Sequence, residues 1–356
     1  MPNDTGGWRT PGSAALVGDL SESALIDRVR QRLPPAPDWL IVGIGDDAAV
    51  VEPERNRVEV LSVDAIVEGV HFDRAFVPPD AVGYRALAVN LSDLAAMGAS
   101  PRLALLSLAL PSHLALADFD GMVGGLCRLA AEHRVQVVGG NLTRSPGPLM
   151  IDVTVVGTVK RRQALKRAGA RPGDEIFVSG TIGSAAAGMG MLREKVSSGE
   201  TCVERYLYPA PRVRLGLQLA RNRAASSAID LSDGLADGVH RLAEASGVGA
   251  ILESEALPIE PAARAWFAGR GLDPVSEALT AGDDYELLFT VRPRTARRLQ
   301  ASKRHGAVSL TRIGRCTEAG PVLLMTGGVH CELPRRGYVH FGSPARAGSE
   351  TGGRPE

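Results

Sequence analysis

The chain has 356 residues, 44% hydrophobic and only 4% aromatic, so Val, Leu, Ala and Ile must fill cores over a length sufficient for two ordinary domains. Lys+Arg 40 against Asp+Glu 40 leave no net charge, and no basic block with interleaved aromatics occurs, which argues against nucleic acid as a partner. Cys127, Cys202, Cys316 and Cys331 form no CxxC pair, the apolar run at Ala14–Val17 is too short for a signal peptide, and no apolar run nears the roughly 20 residues that span a bilayer; a cytoplasmic protein with reduced thiols, no leader and no membrane partner is expected.

Residues 1 to about 18 and 343–356 are polar and rich in Gly and Pro, and are expected to be disordered tails. Ser21–Arg32 reads as an opening helix, capped by Ser21, with Leu25, Ile26 and Val29 on one face. Val58–Val63 alternates as a strand that delivers Asp64 at its end. Asp80–Met97 has helical spacing at Leu87, Leu91, Leu94 and Ala95, with Pro79 just before it. Leu103–Leu110 is a predicted strand, Ala115–His133 a helix, and Val135–Val138 and Met150–Val159 are further strands. The stretch Arg161–Asp174 is polar, basic and broken by Gly and Pro, which divides the chain into halves 19–160 and 161–342. The second half opens with a strand at Glu175–Val178 and a Gly-rich turn, GTIGSAAAG (180–188), into a helix. A helix at Pro211–Arg221, a strand at Ser227–Ile229, a helix at Asp233–Ser246 and a central strand at Tyr285–Val291 follow. This order predicts two α+β halves with mixed sheets.

Carboxylates recur where β-formers end or helices begin, flanked by Gly or Ala. They are Asp46 and Asp47 in GIGDDAAVV, Asp64 in SVDAIVEGVHF, Asp93 in NLSDLAAMG, Asp230 and Asp233 in AIDLSDGLADG, and Asp283 and Asp284 in AGDDYELLFTV. Asp is also a common turn and cap residue, and Asp233 is placed to cap the helix that follows it. Acids that converge in space repel one another unless cations lie between them, and hard oxygen sites hold Mg²⁺ against phosphates. The pattern points to Mg²⁺-dependent phosphoryl transfer. No GxxxxGK[ST] loop occurs, so ATP would bind outside the P-loop class. The turn at 180–188 either cradles phosphate with N–H groups at a helix start or feeds a packed Ala-rich helix. His71 has no Ser or Cys beside it in a recognisable elbow, so no covalent nucleophile is expected.

Taken in order, GIGDDAAVV, SVDAIVEGVHF, GYRALAVNLSDLAAMGASP, GGNLTRSPG, RAGARPGDEIFVSGTIGSAAAG, YPAPRVRLG, AIDLSDGLADG, GDDYELLFTV and GYVHF resemble the thiamine-monophosphate kinase family. That family lies within the superfamily of aminoimidazole-ribonucleotide synthetase, selenophosphate synthetase and the hydrogenase maturation dehydratase. The resemblance runs from about Ser21 to Phe341. It implies a two-domain aminoimidazole-ribonucleotide-synthetase-like fold, with an N-domain that pairs with its twin through its sheet in a homodimer and a C-domain that walls an ATP cleft. It also implies several Mg²⁺ ions, and direct transfer of the ATP γ-phosphoryl group to thiamine monophosphate. By position, Asp47, Ser62, Asp64, Asp93, Asn141, Asp230 and Asp233 match metal-binding positions. Gly140 (in a turn near the phosphates), Arg167 and Ser232 match ATP-contacting positions, and His71, Asp283 and Tyr338 match positions that touch the thiamine substrate. Three residues depart from the family pattern: Asn141 where GGDTT has a carboxylate, Val63 where Thr often stands, and Asp283 where Glu is usual. The alternatives are a related ATP-dependent enzyme acting on another substrate, or a nucleotide-binding regulator marked by Asn141. The superfamily members that need a terminal Cys are disfavoured, since residues 1–20 and 343–356 have none.

Overall fold

The computed structural model describes residues 15–196, 199–300 and 308–338. The N-terminal half runs α1 (Glu22–Arg30), the short pair β1 (Leu40–Val42) and β2 (Val50–Val51), β3 (Arg57–Val67), α2 (Pro79–Ala96), β4 (Ser100–Pro111), α3 (Leu116–His133), β5 (Gln136–Ser145) and β6 (Met150–Lys160). Four of these strands form a sheet in the order β3-β6-β4-β5, parallel only between β4 and β5. The period-two alternation sorts its faces. Ile151, Val153 and Val155 of β6 are buried on the helix-covered side, whereas Leu61, Val63 and Leu105 on the other face are 65%, 57% and 40% exposed. Among the described residues no element covers this apolar sheet face.

The second half comprises β7 (Glu175–Ser179), α4 (Ser184–Arg193), α5 (Glu200–Leu207), α6 (Val213–Asn222), β8 (Ser227–Asp230), α7 (Leu235–Ser246), β9 (Gly249–Glu253), α8 (Pro261–Ala268), α9 (Pro274–Thr280), β10 (Leu287–Val291), β11 (Leu310–Thr317), β12 (Val322–Thr326) and β13 (Val329–Glu332). Its seven-stranded mixed sheet has the order β13-β12-β9-β11-β7-β10-β8. One hydrophobic cluster runs without a break from Leu25 and Val29 through α2 to Leu219 and Phe289, and a second, containing Ile176, Leu235 and Leu288, lies on the other side of the larger sheet. Helix α2 is buried at nearly every position from Ala81 to Ala96. Glycine permits that burial: a Cβ on Gly83 would lie 1.8 Å from the Met122 carbonyl oxygen of α3, and one on Gly216 of α6 would lie 2.0 Å from that of Ala95. Among the described residues no helix is long and apolar enough to cross a membrane.

Several sequence expectations are corrected. Residues 15–18 belong to the packed body, with Val17 buried and its N–H donating to the Leu114 carbonyl at 2.8 Å; residues 1–14 and 343–356 lie outside the described residues. β3 extends to Val67, so Asp64 sits inside the strand and not at its end. β5 continues through GGNLTRS, which places Gly140 in a strand, where a Cβ would strike the Leu106 carbonyl oxygen at 1.8 Å. Asp233 does not cap α7; Gly234 occupies the cap position with φ +106°, and the Asp233 carboxylate turns to Arg241 at 3.3 Å. β10 is second from the sheet edge, between β7 and β8. The segment between β6 and β7 holds neither helix nor strand. The short elements β1, β2, α5, α8, α9, β9 and β11–β13 were not predicted.

Candidate active site

The site is assembled on β3, α2 and the β8–α7 loop. Among the described residues β3 is an edge strand that pairs only with β6, so the outward N–H and C=O of Asp64 meet no strand there. The buried Asn90 of α2 takes both. Its Oδ1 accepts from Asp64 N at 2.9 Å, and its Nδ2 donates to the Asp64 carbonyl at 3.2 Å and to the Ala86 carbonyl at 3.0 Å. One turn on, Asp93 accepts a short hydrogen bond from the Ser62 hydroxyl. Ser92, on the neighbouring face of α2, donates to Asp230 Oδ2 at 2.7 Å, which ties the helix to the end of β8.

Between these elements lies a cleft of about 460 Å³, lined by Ser62, Asp64, Asp93, Arg167, Asp230 and Ser232 with several apolar neighbours. Burial, and then the Asp93 charge, push Asp64 up to about 6, with Asp233 and Asp152 adding to the effect. Asp230 is pushed to about 7 by burial and Asp93, although Ser92 donates to it. Burial also raises Asp93, against the opposing hydrogen bond from Ser62 and the charge of Arg167. Asp93 thus raises both Asp64 and Asp230, and carboxylates crowded in this way are short of positive charge. The donors are all oxygen, which suits a hard divalent cation. Among the described residues, no three carboxylates, histidines or cysteines converge on one ligation point. An open, acid-lined wall of this kind fits Mg²⁺, which keeps waters and substrate phosphates in its shell and takes only one or two carboxylates.

Beside the cleft, the segment after α9 is annealed to the β8–α7 loop: Asp283 N donates to the Ser232 carbonyl at 2.8 Å and Tyr285 N to that of Leu231 at 2.9 Å. Asp283 (φ +67°) and Tyr285 (φ +48°) both adopt the left-handed backbone region, an uncommon state for residues other than Gly. The double twist turns Asp284 inward and leaves Asp283 facing out. Asp284 accepts from Gly183 N at 2.8 Å and Ala185 N at 3.4 Å at the start of α4. The Gly-rich turn at 180–188 is therefore the packed-helix alternative, its N–H groups already occupied by a side chain. Burial pushes Asp284 up to about 7 against those two donors. Asp283 is held by the Tyr285 hydroxyl at 3.0 Å and by Arg85 at 3.2 Å.

The structure thus brings together Ser62, Asp64, Asp93, Arg167, Asp230 and Ser232 in the cleft, with Asp233 beside them in an adjoining recess of about 30 Å³ shared with Arg167, Asp237 and Arg241. Asp283 lies against the Ser232 backbone, and Tyr338 N reaches the Asp233 carbonyl at 3.2 Å while its ring is exposed. Four candidates neither line the cleft nor contact its lining loop in the bonds described. Asp47 stands on an exposed loop before β2, and Gly140 and Asn141 belong to β5. His71 follows β3, where its Nδ1 accepts from Val67 N at 3.1 Å. Sequence reasoning missed Arg85, Asn90 and Ser92, and it counted Asp284 among the recurring carboxylates without its role at the start of α4. The signal for the first three was polar residues at positions of α2 where apolar ones would be expected.

Residues 45–159 match the family model for the N-terminal domain of AIR synthase related proteins, and residues 171–324 match its C-terminal counterpart. The chain is 36% identical to the thiamine-monophosphate kinase of Bacillus subtilis (strain 168) over 316 residues, covering 84% of this chain and 93% of that protein. The crystal structure of thiamine-monophosphate kinase from Stenotrophomonas maltophilia K279a superposes with a TM-score of 0.77 at 39% identity, over 86% of this chain and 96% of that one. A structure of AaThiL complexed with AMPPCP and TMP gives a TM-score of 0.71 at 32% identity, over 91% and 98%.

Proposed function

This chain belongs to the thiamine-monophosphate kinase family, and on that premise we propose that it transfers the terminal phosphoryl group of ATP to thiamine monophosphate, giving thiamine diphosphate. One observation carries this reading beyond likeness: Asp64 of β3, Asp93 of α2 and Asp230 of β8 face one cleft together with Arg167 and Ser232. The chain is accordingly an enzyme, a phosphotransferase whose acceptor is a phosphate group.

We assign Ser62, Asp64, Asp93, Asp230 and Asp233 to hold Mg²⁺. When bound, the ions neutralise charge between the two polyanionic reactants. The chain's own residues do the rest. Asn90 fixes the Asp64 backbone and Ser92 the Asp230 carboxylate, so neither reorganises during the reaction. Arg167 and Ser232 meet the nucleotide phosphates, and Asp283 and Tyr338 meet the thiamine moiety. No general base is required, because the acceptor phosphate, with a second pKa of about 6, is largely ionised near neutrality. Transfer is direct and in line, with no covalent enzyme intermediate.

The remaining assignments depend on assembly. Asn141 pairs in register with Ser107, two residues beyond the exposed Leu105, and so belongs to the uncovered sheet face with Leu61 and Val63. A second copy covering that face would make a homodimer and carry Gly140 and Asn141 to the interface. Asp47 and His71 retain metal and substrate roles in this reading. The division into domains 19–160 and 161–342 is supported by the connection between β6 and β7, which holds neither helix nor strand.

The test is purified protein with ATP, Mg²⁺ and thiamine monophosphate, with thiamine diphosphate measured as its fluorescent oxidation product. Asp64→Ala and Asp93→Ala should each lower turnover by about 10²–10³-fold, by analogy with the loss of a preorganised charge-stabilising group. Near-wild-type turnover in both variants refutes the metal assignment, and ATP binding without product points to another acceptor.

A further inference from the structure

We propose that Arg85 is a positioning residue for substrate recognition: its ion pair with Asp283 fixes the carboxylate that meets the thiamine moiety, and α2 sets the distance from that contact to the phosphate-binding carboxylates. The inference rests on the reading of Asp283 as a substrate contact.

Arg85 is among the largest fully buried side chains of the protein, at 2% exposure. Its guanidinium donates to the Tyr206 carbonyl, stacks 4.5 Å from the Tyr206 ring centroid and pairs with Asp283 at 3.2 Å. Its Nε finds no partner among the described residues. A fold seeking stability alone would not retain this arrangement, because an ion pair with one partner buried and a donor unsatisfied is weak support for stability. What the pair does accomplish is restraint. Asp283 is held at one oxygen by the Tyr285 hydroxyl at 3.0 Å, at the other by Arg85, and through its backbone N–H by the Ser232 carbonyl at 2.8 Å. Yet its side chain remains 38% exposed, so the immobilised carboxylate still presents a free edge.

The same helix fixes the opposite end of the site. Ser92, which holds Asp230, stands seven residues after Arg85, two turns on and on nearly the same side of α2. At 1.5 Å per residue the two anchors are roughly 10 Å apart along the axis. α2 therefore spaces a carboxylate for an organic cation from the carboxylates that manage phosphate. Thiamine monophosphate has that polarity, with a permanent thiazolium charge and an aminopyrimidine donor at one end and phosphate at the other.

The test is steady-state kinetics with both substrates varied, on Asp283→Asn, Arg85→Met, Arg85→Lys, Tyr285→Phe and the Arg85→Met/Asp283→Asn pair. Loss of a charge-assisted contact predicts a rise of about tenfold or more in KM for thiamine monophosphate in Asp283→Asn and Arg85→Met, with KM for ATP nearly unchanged. Arg85→Lys should recover part of the loss, Tyr285→Phe should shift the same KM by a smaller factor, and the double variant should be no worse than Asp283→Asn alone. If Asp283→Asn leaves that KM unchanged, the substrate reading of Asp283 fails and takes the proposal with it. If Asp283→Asn raises it but Arg85→Met and Tyr285→Phe do not, the positioning role alone is overturned. Equal rises for both substrates mark Arg85 as merely structural and also overturn it. Should Arg85→Met fail to fold, Arg85→Lys and Tyr285→Phe still decide.

Discussion

Glu286 follows the twisted GDDY segment directly, and its side chain has no solvent exposure. It accepts from the Ser179 hydroxyl at 2.5 Å and from Arg212 Nε at 2.6 Å, with further short contacts from the terminal nitrogens of Arg212 and Arg205. One carboxylate thus ties β10 to β7 and to the α5–α6 connection. Replacing it with Ala leaves two guanidiniums, 21% and 17% exposed, without the carboxylate they share. Breaking a buried pair from one side typically costs about 3–5 kcal/mol, and the mutual repulsion of two cations puts this case at the upper end. Glu286→Gln keeps the shape and the Ser179 bond and should cost about half as much. Urea unfolding followed by circular dichroism at pH 7.5 measures both. Adding Arg212→Ala to the Glu286→Ala background should cost little more, since the partner is already lost. An unfolding free energy for Glu286→Ala within about 1 kcal/mol of wild type would refute the reasoning, by showing that the arginines reach water or other acceptors.

Asn90→Ala removes both hydrogen bonds to the Asp64 backbone and should cost about 2 kcal/mol while lowering kcat/KM at least tenfold, read from a thermal melt and the kinase assay together. Asp284 sits at about 7 in the fold against 3.8 for the free side chain, so it takes up a proton on folding. Its contribution to stability is fully present below about pH 4 and is lost as pH rises through about 7. Urea titrations across that range should show a pH dependence flatter by up to about 4 kcal/mol in Asp284→Asn, and an unchanged slope would refute the assignment. Leu61→Arg, on the uncovered sheet face, should convert a dimer to a monomer by light scattering; a wild-type protein that is already monomeric removes that interface from the scheme.

The frame of the site was legible because its acids sit in short motifs with strong local character, as in NLSDLAAMG and AIDLSDGLADG. The capping of the first helix by Ser21 was legible for the same reason, and its hydroxyl accepts from Ala24 N at 3.3 Å. What escaped was non-local. Nothing in sequence spacing says that Asn90 will serve as the missing neighbour of an edge strand, or that Asp284 will turn inward to a helix start a hundred residues earlier. Asp233 misled because SDG at a helix start is ordinarily a cap, whereas Gly234 takes that position and Arg241 claims the carboxylate. Gly140 was expected in a turn from the family resemblance, yet here the demand is close approach to Leu106 within a parallel strand pair.

The seating of α2 between α3 and α6, with backbone against backbone on both sides, bears on how the molecule comes apart. Neither half can withdraw without stripping one flank of that helix, so local opening should stop short of it. Its amides should be among the slowest to exchange with deuterated solvent. Heating should give one cooperative transition in a calorimeter, despite a chain that divides readily into two halves on paper.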